Sequence, residues 1–176
     1  EEGGDEGFGY EVTSIQHHQS GVSLALKASD ENMEGSDAEP TTLEFDALVV
    51  CGGVGSYQLA EMLGDRVNVY PVKGYSITVE LRDEASQKHA PWVSLLDESA
   101  KIVTSRLGVD RLRVAGTAEF NGYNRDIRSD RIQPLVDWVN RNFELSTEFS
   151  VPWAGLRPMM PNMMPIVNRG KRERVF

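Results

Sequence analysis

The sequence predicts an α+β fold: an antiparallel sheet carrying one long helix, joined to part of an α/β layer. Three observations predict it. Five short strand candidates recur between residues 67 and 116, at a spacing that suits antiparallel neighbours. Residues 129–143 then set Ile132, Leu135, Val136, Val139 and Phe143 on one helical face. Earlier, the apolar run Ala47–Cys51 leads straight into Gly52-Gly53-Val54-Gly55-Ser56, the pattern of a strand buried on both faces and closed by a glycine turn.

The elements follow in order. Tyr10–Ile15 alternates with period two, Ser20-Gly21 turns the chain, and Val22–Leu26 alternates again. Residues 29–40 are acidic, nearly without apolar groups, and read as a flexible surface loop. Thr41–Phe45 returns, completing a small meander. After the glycine turn, Tyr57–Leu63 has helical spacing and Gly64 stands where a C′ glycine belongs. The five strand candidates are Val67–Pro71, Tyr75–Leu81, Trp92–Leu96, Ile102–Ser105 and Leu112–Gly116. Pro134 predicts a late start or a kink in the helix. Trp153–Met164 is rich in Trp, Pro and Met and shows no clean period.

Composition narrows the function. The 176 residues are 40% hydrophobic, enough for a core, yet no stretch reaches the ~18 apolar residues of a membrane span. The single cysteine excludes an internal disulfide and a cysteine-based zinc site, and it fits a reducing compartment. Residues 1–46 hold twelve acids and one lysine, a net of -11; the remainder holds fifteen acids and seventeen bases. Arg106, Arg111, Arg113, Arg125, Arg128 and Arg131 are interleaved with acids and read as solvated surface, so no basic stripe points to nucleic acid.

Two stretches could carry chemistry. The glycines at 52, 53 and 55 form either a plain tight turn or a backbone that a phosphate or planar cofactor can approach. Their spacing is not G-x-G-x-x-G. Arg157, among Trp153, Leu156, Pro158 and Met159, is either paired internally, exposed at a loop tip, or set to grip a small carboxylate by a bidentate fork. His17 and His18 point to opposite faces of a strand and cannot chelate together. Cys51 reads most simply as a small core residue, and Met159, Met160, Met163 and Met164 as core packing. There is no Ser/His/Asp order, H-E-x-x-H, P-loop or cysteine cluster, so hydrolase and metalloenzyme readings lack a motif and no metal ligand is expected.

Taken together, these stretches resemble the FAD-dependent D-amino-acid oxidase superfamily, with the nearest likeness to bacterial-type D-amino-acid dehydrogenases. The likeness runs over nearly the whole chain. Residues 45–56 are similar to that family's third flavin-contacting strand and turn, and residues 70–77 to the entry strand of its substrate domain. Residues 116–120 resemble a strand over the flavin pocket, and Trp153-Ala154-Gly155-Leu156-Arg157-Pro158 with Pro161 and Pro165-Ile166 resembles its W-x-G-x-R-P and P-D-x-x-P-I stretch.

The resemblance implies hydride transfer from a D-amino acid α-carbon to flavin N5, with FAD as cofactor and a small amino acid as substrate. It implies Arg157 as the carboxylate ligand, with Tyr75 and Glu119 beside the substrate. Val12, Cys51, Gly52, Gly53, Gly155 and Leu156 fall where the family meets its cofactor. It divides the chain into a partial FAD-binding domain at 1–66, a substrate domain at 67–151 and a return to the FAD domain at 152–176. The acceptor, quinone or oxygen, stays open, as does peripheral association with the inner face of the membrane for a protein expected to be cytoplasmic.

Departures set limits on the likeness. Asn162 stands where the family has Asp, and Lys101 stands on a strand where some members carry an aromatic residue, a role Tyr75 is offered for. The G-x-G-x-x-G unit and the carboxy-terminal glycine-rich flavin stretch are not in the sequence, so a fragment inactive alone is expected. Other readings are a different amine or amino-acid substrate on the same scaffold, a non-catalytic subunit, and a small-carboxylate-binding module without the cofactor domain.

Overall fold

The computed structural model describes residues 4, 6–29 and 40–176. Residues 30–39 of the expected loop lie outside the described residues. The chain divides into two compact units, residues 1–69 with 160–176, and residues 70–159.

In the first unit, strands β1 (Tyr10–His18), β2 (Gly21–Ala28) and β3 (Thr41–Phe45) form an antiparallel sheet in the order β1-β2-β3. A bulge falls between Val12 and Ser14 of β1. A single 3-10 turn, Gly53–Gly55, runs into helix α1 (Ser56–Met62), and Gly64 takes the C′ position with φ 77°. Ile15, Val22, Leu63 and Val175 form the core, with Leu48, Val50 and Leu59 against it.

The run 47–51 departs from expectation. It makes a parallel bridge, Leu48 to Val175, with Leu48 N–H donating to Arg174 O and Val50 N–H to Phe176 O. Its burial is one-sided: Leu48 and Val50 meet the core, whereas Val49 is 65% exposed and Cys51 is exposed. Period two explains this, since residues 47, 49 and 51 point to a face that no described residue covers. Cys51 is therefore not a core residue. Met163 and Met164 are exposed as well, and do not pack a core.

In the second unit, β4 (Tyr70–Glu80), β5 (Leu96–Asp97), β6 (Ile102–Leu107), β7 (Arg111–Phe120) and β8 (Ser150–Met159) form an antiparallel sheet in the order β5-β6-β7-β4-β8. Helix α2 (Glu84–His89) is started by a capping box between Asp83 and Ser86. Helix α3 (Ser129–Asn142) lays Leu135, Trp138 and Val139 on Tyr75, Ile77, Val79, Leu112 and Val114. Trp138 Nε1 donates to Asp97 Oδ2 at 2.8 Å, fixing the indole at the rim of this core.

Three differences have physical causes. The expected strands at 67–71 and 75–81 are one strand, because Lys73, which interrupts the apolar pattern, is fully buried and paired. Helix α3 starts at Ser129 despite Pro134, because the Arg128 carbonyl already accepts from the Arg131 and Ile132 amides and Pro134 lies on the exposed side. The segment without a clean period is β8, an edge strand, where Pro152 and Pro158 are tolerated because one side of the strand needs no ladder bonds. The second unit ends with this strand, at Met159.

Candidate functional site

Residues opposite one another in an antiparallel pair share a face, so the register of β4 with its neighbours sorts the site. Lys73, Tyr75, Ile77 and Val79 lie on the face covered by α3, and Val72, Gly74, Ser76 and Thr78 on the opposite, open face, where the first three are themselves buried by neighbouring side chains. Opposite those four on β8 stand Arg157, Gly155, Trp153 and Val151. On β7, Phe120 and Ala118 stand opposite Val72 and Gly74, and Ala115 opposite Ser76. The open face thus carries a transverse row of small residues, Ala118, Gly74 and Gly155, between a row ending in Arg157 and a row ending in Trp153.

Both large side chains lean into that row. The Arg157 guanidinium lies over Gly74, where a Cβ would stand 2.9 Å from its Nη2 and 3.0 Å from Cζ. The Trp153 indole lies over Gly155, whose missing Cβ would overlap the ring. Among the described residues the Arg157 side chain makes no hydrogen bond and no ion pair, and the residue is exposed. A guanidinium held flat by glycine, uncommitted to any carboxylate of its own, can receive one from a ligand through two parallel N–H···O bonds. Beside it, Arg113 Nη2 donates to Ser76 Oγ at 3.1 Å, and Arg113 Cζ lies 4.9 Å from the Trp153 ring centroid.

The covered face holds a different constellation. Lys73 Nζ donates to Asn124 Oδ1 at 2.8 Å and to the Asp126 carbonyl at 3.1 Å, and it pairs with Glu119 Oε2 at 3.0 Å. Tyr75 Oη donates to Glu119 Oε2 at 2.5 Å, and Arg128 Nη1 to Glu119 Oε1 at 2.8 Å. Hydrogen bonds from Tyr75, then Lys73, hold the Glu119 carboxyl down at about 2. Burial and Glu119 push the Tyr75 hydroxyl up. For Lys73, burial works to lower the ammonium, but the oxygens of Tyr75 and Glu119 outweigh it and the net direction is up. The network ties the loop at 121–128 to the sheet.

Of the expected substrate residues, Arg157 therefore stands alone on the open face. Tyr75 and Glu119 are brought together with each other, on the opposite face. Leu156 is registered opposite Lys73, so its side chain also belongs to the covered face, whereas Gly155 underlies the indole. Lys101 sits in a turn with φ 55°, paired with Glu98.

In the first unit, Val12 lies at the β1 bulge, partly packed on the core. Gly52 is small because Leu59 Cδ1 would stand 2.9 Å from a Cβ there. Gly53, with φ 55°, and Gly55 have nothing within 4 Å of an added Cβ, so this turn leaves its backbone open to a flat ligand. That fits a flavin cofactor passing the turn. Among the described residues no group of three His, Cys, Asp or Glu could hold a metal.

Two arginines and a tryptophan escaped the sequence reading. Trp153, Gly155 and Arg157 stand at i, i+2 and i+4, the period-two signal of one strand face, which the prolines obscured. Arg113 was read as solvated surface, yet it stands between the fully buried Leu112 and Val114 and is itself half-buried. Arg128 is likewise engaged, on Glu119.

Comparison with known proteins shows the family and the fold. A family model described as FAD dependent oxidoreductase matches residues 1–176. D-amino acid dehydrogenase 3 of Mesorhizobium japonicum is 63% identical over 142 residues, 80% of this chain and 34% of that protein. D-amino acid dehydrogenase of Dechloromonas aromatica is 42% identical over 146 residues, 82% of this chain and 34% of that one. The chain thus spans about a third of the length of the curated relatives it matches. Among solved structures, glycine oxidase from Geobacillus kaustophilus superposes with TM-score 0.71 at 19% identity, covering 95% of this chain and 41% of that one. Iminodiacetate oxidase from Chelativorans sp. BNC1 gives TM-score 0.71 at 19% identity, covering 92% and 41%.

Proposed function

The chain belongs to the FAD dependent oxidoreductase family, and from that premise we propose that it supplies the substrate-gripping sheet and part of the cofactor-binding unit of an enzyme oxidising D-amino acids. The observation that carries the reading is the uncommitted Arg157 guanidinium seated on Gly74. The relatives named as D-amino acid dehydrogenases support the substrate class.

Bound FAD would accept the hydride released from the substrate α-carbon, while the amino nitrogen lone pair closes the carbon–nitrogen double bond. The chain's own part is binding and orientation. Arg157 takes the α-carboxylate in its fork, which fixes two atoms of the substrate and leaves rotation about one bond. Trp153, 52% exposed beside it, offers an apolar wall to the substrate side chain and excludes water from that flank. Tyr75 and Glu119 act from beneath: together with Lys73 they hold the β4 segment that carries Gly74 under the guanidinium. Val12, Cys51, Gly52 and Gly53, all in the first unit, would contact the cofactor.

The test is R157M in the FAD-loaded full enzyme. KM for a D-amino acid should rise roughly 100-fold or more, since a charge-assisted pair is lost. An unchanged KM would overturn the assignment.

A further inference from the structure

We propose that Arg113 reads the substrate's side chain and makes the open face a two-carboxylate site, selecting amino dicarboxylic acids of the aspartate and glutamate class. This rests on Arg157 holding the α-carboxylate.

Four arginines stand in the strands of the second unit. Arg106 is spent on the carbonyls of Gln87, Ala90, Gly108 and Val109, and Arg111 on Asp110. Arg113 and Arg157 have no carboxylate partner among the described residues, and both stand on the open face. Arg113 is held in place: its Nη2 donates to Ser76 Oγ and its guanidinium lies against the Trp153 ring. A half-buried cation fixed by a neutral hydroxyl and an indole keeps most of its N–H donors for a ligand.

The spacing suits one small dianion. Arg157 reaches Gly74 and Arg113 reaches Ser76. Alternate residues of one strand are about 7 Å apart. The two carboxyl carbons of aspartate or glutamate are separated by three or four bonds of ~1.5 Å each. A carboxylate placed against each guanidinium leaves the intervening methylenes over the Trp153 indole, the apolar surface between the two cations. A neutral aliphatic side chain in the same place would cover Arg113 without pairing it, so discrimination comes from a penalty on the wrong substrate as well as a bond to the right one.

The test uses the FAD-loaded full enzyme with D-aspartate, D-glutamate, D-alanine and D-leucine, and, as non-oxidisable ligands, glutarate and butyrate, followed by thermal shift. In R113M, which keeps an unbranched chain against Trp153, the acidic-to-neutral ratio of kcat/KM should fall roughly 10- to 100-fold. Glutarate should lose affinity relative to butyrate by a similar factor, and R113K should retain most of both preferences. Equal losses on all four substrates in R113M, with R113K no better, would overturn the proposal and make Arg113 a strut for Trp153. R157M separates the two readings. Loss of acidic and neutral substrates in R157M with an unmoved ratio in R113M overturns this inference alone. Full activity in R157M overturns the carboxylate reading, and this inference with it.

Discussion

Arg157 rests on Gly74, its Nη2 2.9 Å from the place where any other residue would carry a Cβ. The two belong to neighbouring strands, β8 and β4, with Val72 rather than Gly74 directly opposite Arg157. The guanidinium therefore reaches one pair along the sheet to lie over the glycine. The G74A variant should separate position from fold. The obstruction is the far end of a flexible side chain, so the arginine can shift and the thermal midpoint should move by only a few degrees. The carboxylate it binds should be displaced with it. KM for a D-amino acid should rise about 10-fold, since small misplacements of a binding group are costly. Unchanged affinity in G74A would show that the seat does not set the arginine's working position.

Gly155 makes the same argument for Trp153. The indole occupies the space a Cβ at 155 would need, and here the obstruction is a rigid ring. The ring must swing away from Arg113, whose guanidinium lies 4.9 Å from its centroid. The G155A variant should show a shifted Trp153 fluorescence, read against a W153F background, together with a thermal midpoint lowered by roughly 5 °C. An unaltered spectrum would mean that the indole does not occupy that position.

Much of the sheet was legible because burial alternates along β7 and turns separate the strands. What escaped reading did so for identifiable reasons. Lys73 is a charge inside a central strand, and a charge in a strand pattern reads as an end; only its partners Glu119, Asn124 and Asp126, more than forty residues away, allow the strand to continue. Strand β8 was hidden by its prolines, which an edge position permits and a central one does not. Tyr75 and Glu119 were assigned to the substrate from the family likeness, yet their side of the sheet depends on strand parity, and the bulge between Gly74 and Tyr75 resets parity along β7. Arg157 was legible as a single odd cation among apolar neighbours. That it lacks an acidic partner among the described residues required the fold.

The Lys73–Glu119–Tyr75 network predicts a pH dependence with a defined sign. The Glu119 carboxyl sits at about 2 against an ordinary 4.5, so the folded chain holds its carboxylate form more firmly than the unfolded chain does. Its contribution is complete above about 4.5 and is lost as the pH falls through about 2. The midpoint difference between the wild type and E119Q should therefore be constant from pH 7 to 5 and shrink steadily below that. On the alkaline side, Lys73 and Tyr75 are both raised, so their contribution is present below their ordinary values and fades as the pH rises beyond them. K73M should be more damaging than K73M/E119Q, because the single variant leaves the buried carboxylate with the half-exposed Arg128 as its one remaining charged partner among the described residues. A difference that stays flat down to pH 2 would mean that Glu119 is not held ionised by these partners.

Cys51 offers a direct test of the cofactor-facing turn. The residue is exposed and stands two positions before Gly53, where the open backbone leaves room for a flat ligand. If flavin passes this turn, it shields the thiol by contact, with no change in fold required. Alkylation of Cys51, followed by mass spectrometry of its peptide, should be fast in the FAD-stripped full enzyme and about 10-fold slower after reloading. Slower labelling of Cys51 should come without parallel slowing at a surface lysine such as Lys88, 71% exposed and remote in sequence from the turn. Equal labelling rates with and without FAD would remove Cys51 from the cofactor contacts and, with it, the reason for placing Gly52 and Gly53 there.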